Sequence, residues 1–340
     1  MKSVDRVLAA LYHEEPDMVP CLWAVASGLR GLQDAVLKRG LKLPGDMVNV
    51  GSVLDVEVVE RGPDYEVLKS PFGDLRRRSY KVEYGYIELV KPAVSSPEDL
   101  DGLEPPEVSM ERVEEIKKVV EAHEDYFTFI GHESPFDSVT QHLRGFEQFL
   151  PDILGNPSFA RRLLEFAVKP QVEFAKAVIE EAGVQGVWLT GDLGDRHGPF
   201  ISPKTYREVL YPWDRMVVDS YHKLGAFVFL HSHGNLNLIL DDLVEAGFDA
   251  LNPIDEAEGM NLAALKEKYG DKITLVPQPS TYKLERMPKD EIEEYLASQI
   301  GAAAHGGGLI YYGVIVNMPI GNAERYVRAF ERLRRYPVRF

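Results

Sequence analysis

The sequence predicts an α/β protein whose parallel sheet is covered by helices on both faces. Three observations carry this. From about Asn156 onward, helical periods alternate with short apolar runs. Those runs are apolar at successive positions, as strands buried on both faces must be. The stretches between them are long enough to be helical crossovers. An open doubly wound sheet and a closed barrel both satisfy this pattern, and 340 residues lie within the range of one α/β barrel.

The elements follow in order. A helix is predicted over 4–12 and a strand over 19–23. The stretch PDYEVLKSPFGDLRRRSYKVEYGYIELVKP alternates and carries Gly and Pro turns. It predicts an inserted β-hairpin, a cover over about 60–92, because 97–106 reads as a surface turn and not as an interdomain linker. YFTFIG, 126–131, is the third or fourth strand. Asn156 as cap and Pro157 at the first helical position open a long amphipathic helix to 181, closed at Gly183. VQGVWLT follows as a strand. Ser202 and Pro203 repeat the helix start, with Pro212 as a kink or break and Gly225 as the stop. AFVFLH is a strand, LNLILDDLVEAG a helix and FDALNP a strand. Asn261 opens a helix that Gly270 closes, ITLVPQ is a strand, 288–304 a helix, and LIYYGVIV the last strand. NAERYVRAFERLRRYP ends the chain as an amphipathic helix, its basic residues where the helix dipole favours them. One domain over 1–340 is expected.

Charge and cysteine content exclude several classes. With 38 Lys and Arg against 54 Asp and Glu, the net charge of −16 repels phosphates and anionic lipid headgroups, so neither nucleic acid nor a membrane is an expected partner. Cys21 is the only cysteine, so no intrachain disulfide forms and a cytoplasmic location is expected. No apolar stretch approaches the roughly 20 residues of a membrane span, and neither signal peptide nor anchor is expected.

In parallel α/β folds, chemistry gathers on the loops after strand C-termini. That rule selects Trp23 after the first strand, His132 or Glu133 after YFTFI, Asp192, Asp195 and His197 after VQGVWLT, His231 and His233 after AFVFL, Asn252 after FDALN, Gln278 after ITLVP and Asn317 after the last strand. His231 and His233 are two apart on extended chain and so face the same way, which makes half a metal site. The plainer alternative is two hydrogen-bonded histidines at a barrel mouth. In GDLGDRHG, glycines 191, 194 and 198 allow tight turns that hold Asp192 and Asp195 near a ligand; Asp195 equally suits a turn cap. His132 and Glu133 face opposite sides of their strand, so one of the two enters the pocket.

At these residues the sequence resembles the uroporphyrinogen decarboxylase superfamily. RVLAALYHEEPDMVP, RGFEQFLPDILGNPSFARRLLE, GDLGDRHGPFISPKTYREVLYP, HSHGNLNLILDDLVEAGFDALNPIDEAEGMNLAALKEKYGDKITL and GGGLIYYGVIVNMP follow in family order. The resemblance implies a single (β/α)₈ TIM-type barrel with the hairpin inserted in its N-terminal half. It also implies either a porphyrinogen decarboxylase or a zinc-dependent methyltransferase working with a corrinoid protein. The decarboxylase branch carries arginines in an R-Q-A-G-R motif that hold substrate carboxylates; here residues 24–29 read AVASGL. In the methyltransferase and O-demethylase branch an H-x-C-G motif supplies two zinc ligands. His231 matches the first and His233 stands in place of the cysteine, while the third ligand's position falls near Ile315, which cannot ligate.

The reading is therefore a methyltransferase that moves a methyl group from a small methoxylated or methylated compound to a corrinoid protein or another acceptor. Asp192, His231 and His233 are the catalytic set. His231 and His233 hold zinc, and Trp23, Glu133, Asp195, His197, Asn252, Gln278 and Asn317 hold substrate. The expected partners are the small molecule, the corrinoid protein and a second copy of the chain in a homodimer. The alternatives are a metal-free decarboxylase, which needs a pocket cation such as Arg30, Arg144 or Arg196, and a non-catalytic binding protein on a degenerate barrel.

Overall fold

The structure is a computed structural model that describes residues 1–25, 43–80, 87–316 and 318–338. Eight parallel strands line up in chain order: β1 (Cys21–Val25), β2 (Met47–Ser52), β7 (Phe127–Glu133), β8 (Gly186–Thr190), β11 (Phe227–His231), β12 (Ala250–Ile254), β13 (Thr274–Pro277) and β14 (Tyr311–Ile315). Six form one ladder, β2-β7-β8-β11-β12-β13, and β14 pairs with β1. Hydrogen bonds cross the two seams. The amides of Leu275 and Ile310 donate to Gly308 and Leu275 (3.0 and 3.1 Å), and the Asp46 amide donates to the Cys21 carbonyl at 2.8 Å. The fold is the TIM-type α/β barrel expected.

Strand periodicity sorts the side chains into two cores. Met47, Phe127, Phe129, Trp188, Phe229, Ala250, Val276 and Ile310 fill the interior. The alternate residues, among them Ile130, Val187, Leu189, Val228, Leu230 and Leu251, face the surrounding helices. Trp188 stacks on Phe229 with centroids 5.2 Å apart and lies 5.3 Å from Phe129. These rings plug the barrel below its mouth.

Helices with a capping signal begin where it places them, whereas the helix expected from LNLILDDLVEAG starts only at Leu240 and the one expected over 288–304 is Ile292–Ala303, preceded by a short helix Thr281–Arg286. The Asn156 side chain accepts from the Phe159 amide and opens Pro157–Ala182, and Gly183 closes it at a φ of 74°. Ser202 caps Pro203–Val209, and the helical path breaks before Pro212, so that Tyr211–His222 is a separate helix. No helix among the described residues is long and apolar enough to cross a membrane.

The expected hairpin proves to be a four-stranded antiparallel meander: β3 (Glu57–Arg61), β4 (Tyr65–Lys69), β5 (Leu75–Ser79) and β6 (Ile87–Lys91). GPD at 62–64 and SPFGD at 70–74 supply two of its turns.

Asp46, buried beside the β1–β2 seam, ties the ends of the chain together. Its carboxylate accepts from Ser3 (2.8 Å), the Cys21 amide (3.0 Å) and Arg334 (2.8 Å), and is also paired with Arg6. Two arginines neutralise one carboxylate there, the condition under which buried charge is tolerated.

Candidate functional site

Two loops knit together at the strand C-termini. After β8, GDLGD leads into a short hairpin of β9 (Gly194–Asp195) and β10 (Gly198–Pro199) and runs beside HSHG, which follows β11. The Gly191 amide donates to the His231 carbonyl (2.9 Å), the Leu193 amide to Ser232 Oγ (2.9 Å) and the Asn235 amide to the Asp195 carbonyl (2.7 Å). Gly234 is required at its place. Its φ is 98°, and a Cβ there would stand 2.4 Å from the Gly194 carbonyl carbon.

This brings Asp192, His231 and His233 together. Asp192 Oδ1 accepts the His233 backbone N–H at 2.8 Å. The two imidazoles lie edge to face, 5.2 Å apart. His231 Nδ1 meets Asn252 Oδ1 at 2.6 Å, and Asn252 in turn donates to the Val276 carbonyl at 3.1 Å. That amide orientation makes Nδ1 the protonated nitrogen of His231 and Nε2 the free lone pair. His233 Nδ1 meets Glu258 Oε1 at 2.8 Å, while the other oxygen of Glu258 accepts from the Gly234 amide at 2.9 Å. Burial, with His233 beside it, makes His231 less basic than usual. Burial also opposes charge on His233, but the hydrogen bond and charge of Glu258 outweigh it and hold that ring more basic.

Below His231 lies a cavity of about 400 Å³, lined by Leu22, Phe129, Trp188 and Tyr312 with Asn49 and Thr190. No described lining residue is Arg or Lys. Grooves of about 540 and 500 Å³ lie outboard, around Pro106 and Pro170, and contain no histidine and no interior barrel residue. Of these three cavities, the smaller one alone is bordered by His231.

The remaining expected residues divide. Glu133 shares the inward phase of Phe129 on β7, but its carboxylate lies 3.3 Å from buried His142 and is not among the cavity's lining residues; His132 turns outward, its Nε2 2.6 Å from Tyr221 Oη, and burial drives its pKa down to about 4. Asn252 is buried as the partner of His231. Asp195 accepts the His197 amide at 2.7 Å, and both side chains are exposed on the rim, apart from the histidine pair. Trp23 borders the cavity but commits its ring outward, 4.8 Å from Tyr326 and 5.6 Å from Phe330. Gln278 stands at the end of β13, its amide 3.4 Å from the Ile254 carbonyl. Asn317 and Arg30 lie outside the described residues. Arg144 and Arg196 are engaged elsewhere, with Asp152 and His197.

Sequence reasoning missed Glu258, Asp137, His142 and Asp74. Glu258 sits in a 3₁₀ turn after β12, and Asp137 and His142 in the short helical segments after β7. The Ser134 and Pro135 start signal was the available pointer to the latter two.

Both histidines are tethered through Nδ1, as metal-binding histidines commonly are, which leaves two Nε2 donors. Among the described residues, however, no three His, Cys, Asp or Glu side chains group so as to hold a metal. The set is one short of the three protein ligands of a catalytic zinc.

Residues 79–333 match the family model for uroporphyrinogen decarboxylase (URO-D). No curated protein matches the chain in sequence. Among solved structures, the fold resembles a methyltransferase from Methanosarcina mazei, with a TM-score of 0.70 and 20% identity over 98% of this chain and 99% of that one. A 3-keto-D-glucoside 4-epimerase from E. coli (TM-score 0.42, 14% identity, 70% of this chain and 93% of that one) is a far looser likeness.

Proposed function

The chain belongs to the uroporphyrinogen decarboxylase family, and from that premise we propose that it is a methyltransferase that takes a methyl group from a small methoxylated or methylated compound and passes it to a corrinoid carried by a partner protein. One observation carries the reading: two imidazoles, each fixed through Nδ1, stand beside Asp192 at the strand C-termini, and His231 of the pair borders an aromatic cavity whose described lining has no cation. The methyltransferase from Methanosarcina mazei shares the fold over nearly the whole chain, which supports the same reading.

The cavity buries the apolar body of the substrate against Phe129, Trp188 and Tyr312 and excludes water. His231, neutral and with Nε2 as acceptor, takes a hydrogen bond from a polar substituent. Asp192 holds the His233 loop in place through its backbone amide. The corrinoid supplies a nucleophilic metal centre that accepts the methyl group. With two protein nitrogens where zinc takes three ligands, these roles are assigned without a resident metal. Decarboxylation of a polyanion lacks its counter-charges in the described lining.

Single-turnover mixing with a methoxylated arene and a reduced free corrinoid tests this. Methylation of the corrinoid is expected, slowed on the order of 100-fold in Asp192→Ala, which frees the His233 loop. Release of carbon dioxide from carboxylated substrates without any methyl transfer would overturn it.

A further inference from the structure

Each inward position on a barrel strand is followed two residues later by the next one up. Above the aromatic floor this gives Thr190 over Trp188 and His231 over Phe229, but only Ala24 over Leu22 and Gly131 over Phe129. The upper layer is therefore incomplete on β1 and β7. Glycine at 131 is required neither by its backbone, which lies outside the left-handed region, nor by crowding. A Cβ there would meet the Gly51 and Trp188 carbonyl oxygens at 3.7 and 3.8 Å and Asn49 Nδ2 at 3.9 Å, all ordinary contacts. Gly186 and Gly313 differ, because a Cβ on the first would stand 2.8 Å from the Phe127 ring and on the second 2.5 Å from the Trp23 ring. What Gly131 supplies is room, and that room belongs to the cavity of about 400 Å³ below His231.

The polar atoms that border this room are few and uncharged. Asn49 stands two residues beyond Met47 on β2, and its Oδ1 accepts the Gly51 amide at 2.9 Å, which leaves Nδ2 to donate beside Gly131. His231 gives its Nδ1–H to Asn252 and keeps Nε2 as an acceptor. β7 and β8 separate β2 from β11 in the ladder, so these two atoms reach the cavity from different sides. Trp188 is 6% exposed and borders the same space, and its indole N–H meets no acceptor among the described residues. No described lining residue is Asp, Glu, Lys or Arg, so an ion would lose its water with no counter-charge to replace it. Nor does Trp188 offer a cation an open ring face. β8 lies between β7 and β11, with Phe129 on one side of the indole at 5.3 Å and Phe229 on the other at 5.2 Å.

We propose that the cavity binds an uncharged, single-ring arene carrying oxygen at two separate ring positions, with Gly131 as the residue that sets its size and Asn49 as the residue that selects its polarity. The ring occupies the space over Phe129 that a side chain at 131 would fill. A hydroxyl donates to His231 Nε2, and the second oxygen accepts from Asn49 Nδ2. That the second oxygen carries the methyl group rests on the methyl-transfer reading, whereas the size and neutrality of the ring rest on the cavity.

Isothermal titration of the whole protein, without any corrinoid, tests the proposal with 4-methoxyphenol, the two-ring 6-methoxy-2-naphthol, 4-methoxybenzoate and 4-methoxybenzylammonium. The parent protein is expected to bind 4-methoxyphenol and to hold each of the other three at least about tenfold more weakly. Gly131→Leu should weaken 4-methoxyphenol on the order of 100-fold, and Gly131→Ala severalfold with little change in Tm. Asn49→Leu should weaken 4-methoxyphenol on the order of tenfold and leave 4-ethylphenol, which has the same shape without the second oxygen, unchanged. Equal weakening of those two compounds, undiminished binding in the Gly131 variants, or an ion or two-ring compound held as tightly as 4-methoxyphenol would overturn the proposal, as would its failure to bind. If Gly131→Leu does not fold, Gly131→Ala and the comparison of one ring with two decide. Binding in this pattern without methylation of added corrinoid would refute the methyl-transfer reading alone; methylation without this pattern would refute the assignment of the cavity alone.

Discussion

Replacing His142 by leucine removes the cation between Glu133 and Asp74 and puts nothing polar in its place. His142 and Asp74 are fully buried and Glu133 is largely so. Breaking a buried pair by deleting one partner costs about 3–5 kcal/mol, because the other charge stays behind unpaired. A chain of 340 residues has an unfolding entropy of roughly 0.7 kcal/mol/K, so Tm should drop by about 4–7 °C. The gap depends on pH. Glu133, drawn down to about 2, contributes stability that is present above its unfolded value near 4.5 and is lost as pH falls toward 2. Burial works against charge on His142, but Asp74 and Glu133 hold it above its ordinary 6.5. Its contribution is therefore full below 6.5 and lost as pH rises through the raised value. The difference between parent and variant is thus widest between about pH 4.5 and 6.5 and narrows on both sides. Circular-dichroism melts of both proteins across that range measure it. A gap below roughly 1 kcal/mol, or one that does not change with pH, would refute the charge-pair account.

Four further outcomes are expected. Gly234→Ala forces a side chain into a backbone at φ 98° against Gly194; it should cost about 1–3 kcal/mol and reduce turnover by displacing His233, read by melting and by assay. Glu258→Gln removes the charge that raises His233, so the His233 imidazole should titrate at lower pH by NMR; an unchanged titration would remove Glu258 from the site. Zinc should be held weakly by His231 and His233 and fall below one per chain on dialysis, and the double alanine variant should hold less; stoichiometric zinc surviving dialysis would require a third ligand from outside the described residues. Burial pushes the Cys21 thiol well above its ordinary range, so thiol reagents should label it only on unfolding.

The second half of the barrel was legible because its strands are largely apolar on both faces and several of its helices carry a start signal, as Asn156 with Pro157, Ser202 with Pro203 and Asn261 do. β2 was not. MVNVGS mixes Asn49, Gly51 and Ser52 into a short strand, and its pairing with β7 is a contact made far along the chain. His231 and His233 were visible as a same-face pair at a strand end. Which of His132 and Glu133 enters the mouth depends on the phase of β7 against the barrel axis, and that is set by Phe127 and Phe129 packing inward. Asp137 and His142 escaped notice because they are ordinary polar residues in helical turns. Their properties come from Asp192 and Asp74, 55 and 68 residues away.

Asp46 is bonded to Ser3, Cys21 and Arg334, and β1 lies against β14. Arg6 can neutralise Asp46 early, but the edge of β1 that pairs with β14 stays uncovered until β14 has been made. Such end-to-end contacts are slow to form, and the unpaired edge is exposed meanwhile. The barrel closes only once β14 is available to pair with β1. A chaperone's demand on this chain should accordingly centre on β1, and an experiment that stalls translation before Arg334 should capture it there.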